Sequence, residues 1–296
     1  MSAKPDTPMG PQAETHAAQD TLPRPGMSRS ARRALWLLGL LAGGFVLPAL
    51  LAPWLAPHDP GALDLAASLA PPDAAHWLGR DEEGRDILSR LLWGGQVSLV
   101  VGLSTVLVSS LVGISLGLVA GYAGGAVDMG LMRLVDVLLA FPGLLLAIAL
   151  VAVLGPGLGN VVVALSALGW TGFARLVRGQ VLGLKGQDYV MAARALGAGH
   201  VRIMVRHLLP NLLGPVLVQA SFAIAGAVLS EASLTFLGLG VPHGTPSWGG
   251  MLAEGRYVLW EAPMVSIVPG LAIMLVVLGF NLLGDALGDW LDPRRR

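Results

Sequence analysis

The chain has 296 residues, 54% of them hydrophobic and 13% charged, with a mean hydropathy of +0.68. A soluble domain carries about 25% charged residues, so the composition excludes an ordinary soluble enzyme or binding module and indicates a multi-span membrane bundle. Formal net charge is zero, so the total says nothing about partners, and no nucleic-acid partner is expected; the absence of cysteine removes disulfides, thiolate metal sites and cysteine nucleophiles together.

Residues 1–30, rich in Pro, Ala, Gln and Asp, hold too little apolar surface to fold and read as a disordered tail, within which Met27 offers a second start. Arg29, Arg32 and Arg33 then precede the run "ALWLLGLLAGGFVLPALLAPWLAP". A signal peptide has the same layout of charge before an apolar stretch. This run is long enough to span, lies between Trp36 and Trp54 and lacks a convincing small-x-small cleavage site, which favours an uncleaved first span.

Apolar windows place spans near 34–55, 97–121, 131–154, 158–178, 208–238 and 264–288, so an all-α membrane protein with six transmembrane helices is expected. If the N-terminus is inside, the inner segments hold Lys4, Arg24, Arg29, Arg32, Arg33, Arg133, Arg175, Arg178, Lys185, Arg194, Arg202, Arg206 and Arg294 to Arg296. The outer ones hold only Arg80, Arg85, Arg90 and Arg256. That bias puts both termini in the cytoplasm. The expected division is a tail at 1–30, a first helix and outer segment at 31–96, a five-helix core at 97–288 and a cytoplasmic tail at 289–296.

After the first span the chain is polar and Pro-rich, then reads "DEEGRDILSRLLWGG", with Ile87, Leu88, Leu91 and Leu92 on one helical face. This fits an amphipathic helix on the outer interface, with a soluble loop helix as the alternative. In the second span Gly113, Gly117, Gly121 and Gly125 recur every four residues, a small-residue face on which another helix can pack closely. "GISLG" at 113–117 has the spacing of a nucleophile elbow but lies inside an apolar helix rather than at a strand-to-helix turn. "GPGLGN" at 155–160 joins two spans and reads as a tight outer turn. No Walker A sequence occurs, so any ATP must be held elsewhere. No histidine pair has metal-ligand spacing; His58, His76 and His243 are expected as solvated outer-loop residues, the alternative being contact with a metal or chelate.

Between the fourth and fifth spans runs "QDYVMAARALGAGHVRIMVRH". Asp188 is the expected N-cap of a short helix near 189–198, ended by Gly197 or Gly199. Val190, Met191, Ala193 and Leu196 make it too apolar for a solvated loop, which leaves docking to a protein partner or adsorption to the inner leaflet through Arg194, Arg202 and Arg206.

"MAARALGAGHVRIMVRHLLP" resembles the E-A-A-x3-G-x9-I-x-L-P motif of ABC importer permeases in the dipeptide, oligopeptide and nickel branch. Ala192, Ala193, Gly197, Leu209 and Pro210 occupy motif positions, Met191 stands in place of the Glu and His207 in place of the Ile. "GRDEEGRDILSR", "LMRLVDVLLAFPGLLLAIAL", "ARLVRGQVL", "EASLTFLGLGVP", "PSWGGMLAEGR" and "FNLLGDALGDWLDPR" extend the resemblance over about 76–294. It implies a type I importer fold in which the 189–200 helix is a coupling helix that docks in an ATPase cleft. The residues so implicated are Tyr189, Met191, Ala192, Ala193, Gly197, Arg202, His207, Leu209 and Pro210. The implied partners are a homologous permease, two ATP-binding subunits and an extracytoplasmic solute-binding protein, beside membrane lipid. This chain itself is expected to bind no cofactor; ATP and Mg belong to the partner subunits.

Asn281, Asp285 and Asp289 share a face at the inner end of the last span, with Asp292 next. Carboxylates at a helix C-terminus oppose its dipole, so pairing with Arg202, Arg206 or the terminal arginines is expected, with metal binding as the alternative. Asp136 and Glu231 lie near span ends, as relay groups of a proton-coupled carrier or as interfacial or gating groups. Pro210, Gly214, Pro215 and Gly226 predict a kinked fifth span that lines the path between subunits. An ion-coupled secondary carrier would need inverted repeats, and an intramembrane enzyme a nucleophile or metal cluster; neither is visible.

Overall fold

The computed structural model describes residues 29–242 and 244–291. The expected N-terminal tail up to residue 28, including Met27, lies outside the described residues, as do His243, Asp292 and the terminal arginines. Among the described residues there is no strand, only an isolated bridge between Arg80 and Asp86.

The first span starts as α1 (Arg29–Leu41) and passes through a π-helical turn at Ala42–Val46 into the short helices α2 (Leu47–Leu50) and α3 (Ala52–Leu55). Trp36 and Trp54, 80% and 79% exposed, suit the two headgroup levels. Phe45 is turned inward, 5.6 Å from Trp248 and 6.3 Å, edge-on, from Phe280.

Next come α4 (Ile87–Ala123), α5 (Gly125–Leu139), α6 (Gly143–Leu154) and α7 (Leu158–Leu184). The separate amphipathic helix expected at the outer interface does not exist: it is the first turns of α4, which runs 37 residues and buries Ile87, Ser89 and Arg90. Asp86 fixes that start, because its carboxylate accepts the Ser89 amide and hydroxyl, each at 2.7 Å. The expected boundary at residue 96 therefore falls inside a helix.

The third span is not straight. α5 and α6 meet at an angle of 86°. Pro142 lacks an amide hydrogen and pushes Phe141 out of helical geometry, so the ladder breaks at Ala140 and restarts after Pro142. Among the described residues five helices are long and apolar enough to cross a membrane, and six if the bent pair is one span.

α4 and α7 share the most extensive helix contact in the bundle. A Cβ at Gly113 would lie 2.5 Å from Phe173 Cβ, one at Gly117 2.5 Å from the Ala174 carbonyl, and one at Gly121 2.8 Å from Val181 Cβ. Three of the four expected glycines thus set the approach of these helices. Gly125 does not join them, since its φ of +56° already belongs to the turn into α5.

The remaining helices are α8 (Asp188–Ala195), α9 (His200–Ile203), α10 (Leu209–Phe236), α11 (Trp248–Gly255) and α12 (Met264–Leu291). α9 and α10 are joined by a π turn at Met204–Leu208. Pro210 sits just after it: a proline removes one backbone bond and crowds the preceding turn, and local widening relieves both. α10 then runs on through Pro215 as one helix. α12 extends to Leu291, into the stretch expected as a tail from 289.

Candidate functional site

The end of the bundle that carries α8, called inner after the charge bias, is built as follows. α7 stops at Leu184, and the Lys185 ammonium donates to the Gly121 carbonyl at 2.9 Å, tying the end of α7 to the end of α4. Gln187, in extended conformation, holds the N-cap position before α8, and Asp188 is the first helical residue rather than the cap. Asp188 in the first turn and Arg194 in the last both favour the helix dipole. α8 ends earlier than expected. Gly197 takes φ +81°, its amide donates to Arg194 O and the Ala198 amide to Ala193 O, each at 3.0 Å, a double closure that requires a left-handed residue.

The faces of α8 divide cleanly. Val190 is fully buried, in a cluster with Ile203, Leu208 and Leu212. It holds the helix to the bundle rather than adding to an outward face, and Ala193 is half-buried. Tyr189, Met191 and Leu196 are 42%, 52% and 89% exposed, and Ala192 is exposed beside them. At Met191 the side chain presents an apolar surface to the exterior, where a motif Glu would present charge.

Sequence reasoning missed the brace behind the loop. Tyr122, near the end of α4, places its hydroxyl 2.9 Å from His200 Nδ1, and the Arg194 guanidinium lies 5.9 Å from the Tyr122 ring centroid. Asn211 donates to the His207 carbonyl at 2.7 Å and lies 3.5 Å from the Tyr189 hydroxyl. Leu209 and Pro210 open α10, while Arg202 and Arg206 are exposed.

The carboxylates expected to gate or brace are placed differently from one another. Asp136 pairs with Arg175 at 2.6 Å, both more than half exposed, and Asp128 accepts two bonds from Arg178 at 2.9 and 2.7 Å, so α5 is tied to α7. Glu231 is fully buried, accepting from Thr235 at 2.9 Å and from Ser98 at 3.3 Å. Asp285 is exposed, and among the described residues no ion pair joins it to Arg202 or Arg206. The expected tie between the last span and the loop is therefore not formed through Asp285; Asp289, half-buried on the same helix, is engaged in an interaction of its own.

At the outer end the charged run 81–90 folds into a buried ion network. Arg85 Nε donates to Asp81 Oδ2 at 2.8 Å and Arg85 Nη2 to Glu254 Oε2 at 3.0 Å. Arg90 donates to Glu254 at 2.6 and 3.2 Å and also to Asp81. Trp248 Nε1 donates to the Leu91 carbonyl at 2.9 Å, so α11 is clamped to α4 by charge and by ring. Beside the clamp opens a hollow of about 670 Å³ whose lining includes Glu82, Phe236, Glu254, Arg256 and Tyr257. His58 and His76 are not solvated as expected: their rings stack at 4.1 Å, and His76 is buried with Nδ1 2.9 Å from Asp86 Oδ1. The neighbouring Asp73 accepts the His76 and Ala75 amides, which holds its carboxyl below the ordinary value. The GPGLGN stretch is a tight turn as expected, with Asn160 donating to the Leu154 and Gly155 carbonyls.

A family model described as "binding-protein-dependent transport system inner membrane component" matches residues 113–296. The dipeptide transport system permease protein DppC of Alkalihalophilus pseudofirmus is 40% identical over all of this chain and 97% of its own length. The nickel transport system permease protein NikC of Escherichia coli K12 is 43% identical over 89% of this chain and 94% of its own. The glutathione transport system permease protein GsiD of Pectobacterium atrosepticum is 51% identical over 75% of this chain and 74% of its own. Among solved structures, the inward-facing MetNI methionine ABC transporter matches with a TM-score of 0.56 and 19% identity, covering 67% of this chain and 94% of that chain, which shows a shared fold. Nothing in the fold or these relatives supports an ion-coupled carrier. The chain belongs to the binding-protein-dependent transport system inner membrane components, as an ABC importer permease subunit of the dipeptide, oligopeptide and nickel branch, a transport component and not itself an enzyme.

Proposed function

We propose that this chain forms half of the translocation path for a short peptide or a chelate of similar size, with a homologous permease forming the other half. Two ATP-binding subunits hold ATP and Mg, an extracytoplasmic solute-binding protein delivers the cargo, and both termini of this chain lie in the cytoplasm. The relatives named for dipeptide, glutathione and nickel transport support that range of cargo.

The observation that carries the coupling role is α8: a helix anchored from behind by Val190 and by the Tyr122–His200 bond, with Met191, Ala192 and Leu196 turned outward for a partner to grip. Tyr189, Ala193 and Gly197 shape it, and Arg202, His207, Leu209 and Pro210 return the chain to the bundle. Such a loop transmits force as a population shift. Closure of the ATP-binding subunits favours one arrangement of the spans, and moving that balance from 1:99 to 99:1 takes about 5.5 kcal/mol of differential affinity. ATP binding must supply it through α8. Asp136, Glu231, Asp285 and Asp289 act in gating or in holding spans together rather than in proton relay. The test is uptake of a labelled dipeptide into proteoliposomes holding both permeases and the ATP-binding subunits. Uptake that requires ATP and the binding protein and stops with vanadate supports the reading; uptake driven by a proton or sodium gradient alone defeats it.

A further inference from the structure

Beyond coupling, we propose that His58, His76 and Asp86 form a site at the outer end for one divalent first-row transition metal ion of the class imidazole favours, such as zinc. The three residues stand 18 and 10 positions apart in sequence, so no motif announces them. The fold brings one ligand atom from each within 4.8 Å of the others. His76 Nδ1 is 2.9 Å from Asp86 Oδ1, and His58 Nδ1 is 3.9 Å from Asp86 Oδ2.

Each ligand is held in place. The Asp86 carboxylate is oriented by the amide and hydroxyl of Ser89, that hydroxyl also accepts the His58 amide at 3.1 Å, and the His76 amide is bound to Asp73 Oδ1 at 2.6 Å. Hydrogen bonds such as those of Ser89 to Asp86 set the orientation of a ligating carboxylate around a metal, while the two amide hydrogen bonds fix the backbone that carries His58 and His76. His58 Nδ1 is a buried atom without a hydrogen-bond partner, so no protein group competes with an ion for it. In a tetrahedral site with bonds of roughly 2.0–2.2 Å, ligand atoms sit roughly 3.3–3.5 Å apart. To reach that spacing His58 Nδ1, 3.9 Å from Asp86 Oδ2, moves inward and the His76–Asp86 pair, at 2.9 Å, opens slightly; the His58 side chain is 35% exposed. On binding, the ion takes the place of the hydrogen between His76 Nδ1 and Asp86 Oδ1; a neutral imidazole protonated on Nδ1 regains that hydrogen on Nε2 by exchange with solvent, so protons and charge balance. Two nitrogens and one carboxylate oxygen leave a fourth position open. The ion would clip the chain just after α3, the outer segment and the start of α4 into one unit.

The test uses the intact transport complex in detergent, purified without a polyhistidine tag, stripped with EDTA and titrated with Zn2+ alone by calorimetry. We expect one saturable zinc per copy of this chain, weakened at least tenfold by His58→Gln and lost in His58→Gln/His76→Gln. Zinc should raise the melting temperature of the wild type and leave that of His58→Gln unchanged, while the two proteins melt alike without metal. If buried His76 cannot be replaced without unfolding, His58→Gln alone decides. Absence of a saturable zinc site, or equal zinc binding by wild type and His58→Gln, overturns the proposal and leaves a stacked histidine pair beside Asp86, the N-cap of α4.

Discussion

Gly197 offers the sharpest perturbation of the coupling loop, because within this chain a small side chain there meets no neighbour and acts through backbone conformation. A Cβ at this position would meet nothing within 4 Å, yet φ is +81°. An alanine placed there is held in the left-handed region at a cost of about 1–2 kcal/mol. The two bonds that close α8, from Gly197 to Arg194 and from Ala198 to Ala193, exist only in that conformation, so the strain acts directly on where α8 ends and how Leu196 is presented. A shift of that size corresponds to roughly a 5- to 30-fold change in the population of the closed loop. In proteoliposomes, the ratio of dipeptide taken up to ATP hydrolysed should fall several-fold in Gly197→Ala and further in Gly197→Val. Gly197→Asn should stay close to wild type, since asparagine tolerates the left-handed region. Wild-type ratios in both Gly197→Ala and Gly197→Val would refute the reasoning.

Three further outcomes follow from the packing. Gly117→Val should lower the melting temperature by the equivalent of roughly 1–3 kcal/mol of overpacking, since its Cβ meets the Ala174 carbonyl at 2.5 Å, whereas Gly130→Ala, with nothing within 4 Å, should not. Arg90→Met should destabilise the protein by about 3 kcal/mol, the lower end for a broken buried pair, because Arg85 still neutralises Asp81; thermal unfolding against Arg90→Lys reads this. Tyr122→Phe removes one hydrogen bond, about 0.5–1.5 kcal/mol, and should loosen the loop at His200, seen as faster amide exchange in α8 and lower uptake per ATP with unchanged insertion.

The spans were legible because apolar runs of membrane length leave few alternatives, and the loop at 189–210 was legible because it breaks that pattern. Its helix ended early because the left-handed turn at Gly197 closes it, a geometry that the string "ALGAG" allows at either glycine. The break between α5 and α6 was signalled by Phe-Pro-Gly at 141–143, but the apolar count on both sides masked it. The outer network was not legible. Its key partner, Glu254, lies 164 residues from Arg90, and only the packing of α11 on α4 brings them together. For the same reason the charged run 81–90 read as an interfacial helix: sequence shows which residues could face water but not which remote carboxylate will neutralise them. Glu231 drew notice as a carboxylate near a span end, but its partners Ser98 and Thr235 are polar and uncharged, so no charge pattern could have revealed them.

The central claim is that an ATP-binding subunit grips the outward face of α8. The chain has no native cysteine, so a single Leu196→Cys, at the position that is 89% exposed, gives a unique attachment point. Val153→Cys, 87% exposed near the far end of α6, is the matched control. In the assembled complex a short maleimide–diazirine photo-crosslinker attached to Leu196→Cys should join it to an ATP-binding subunit, with a yield that changes between ATP-bound and nucleotide-free states, while Val153→Cys carrying the same reagent gives no such product. Absence of the Leu196→Cys product, or an equal yield from Val153→Cys, would contradict the account.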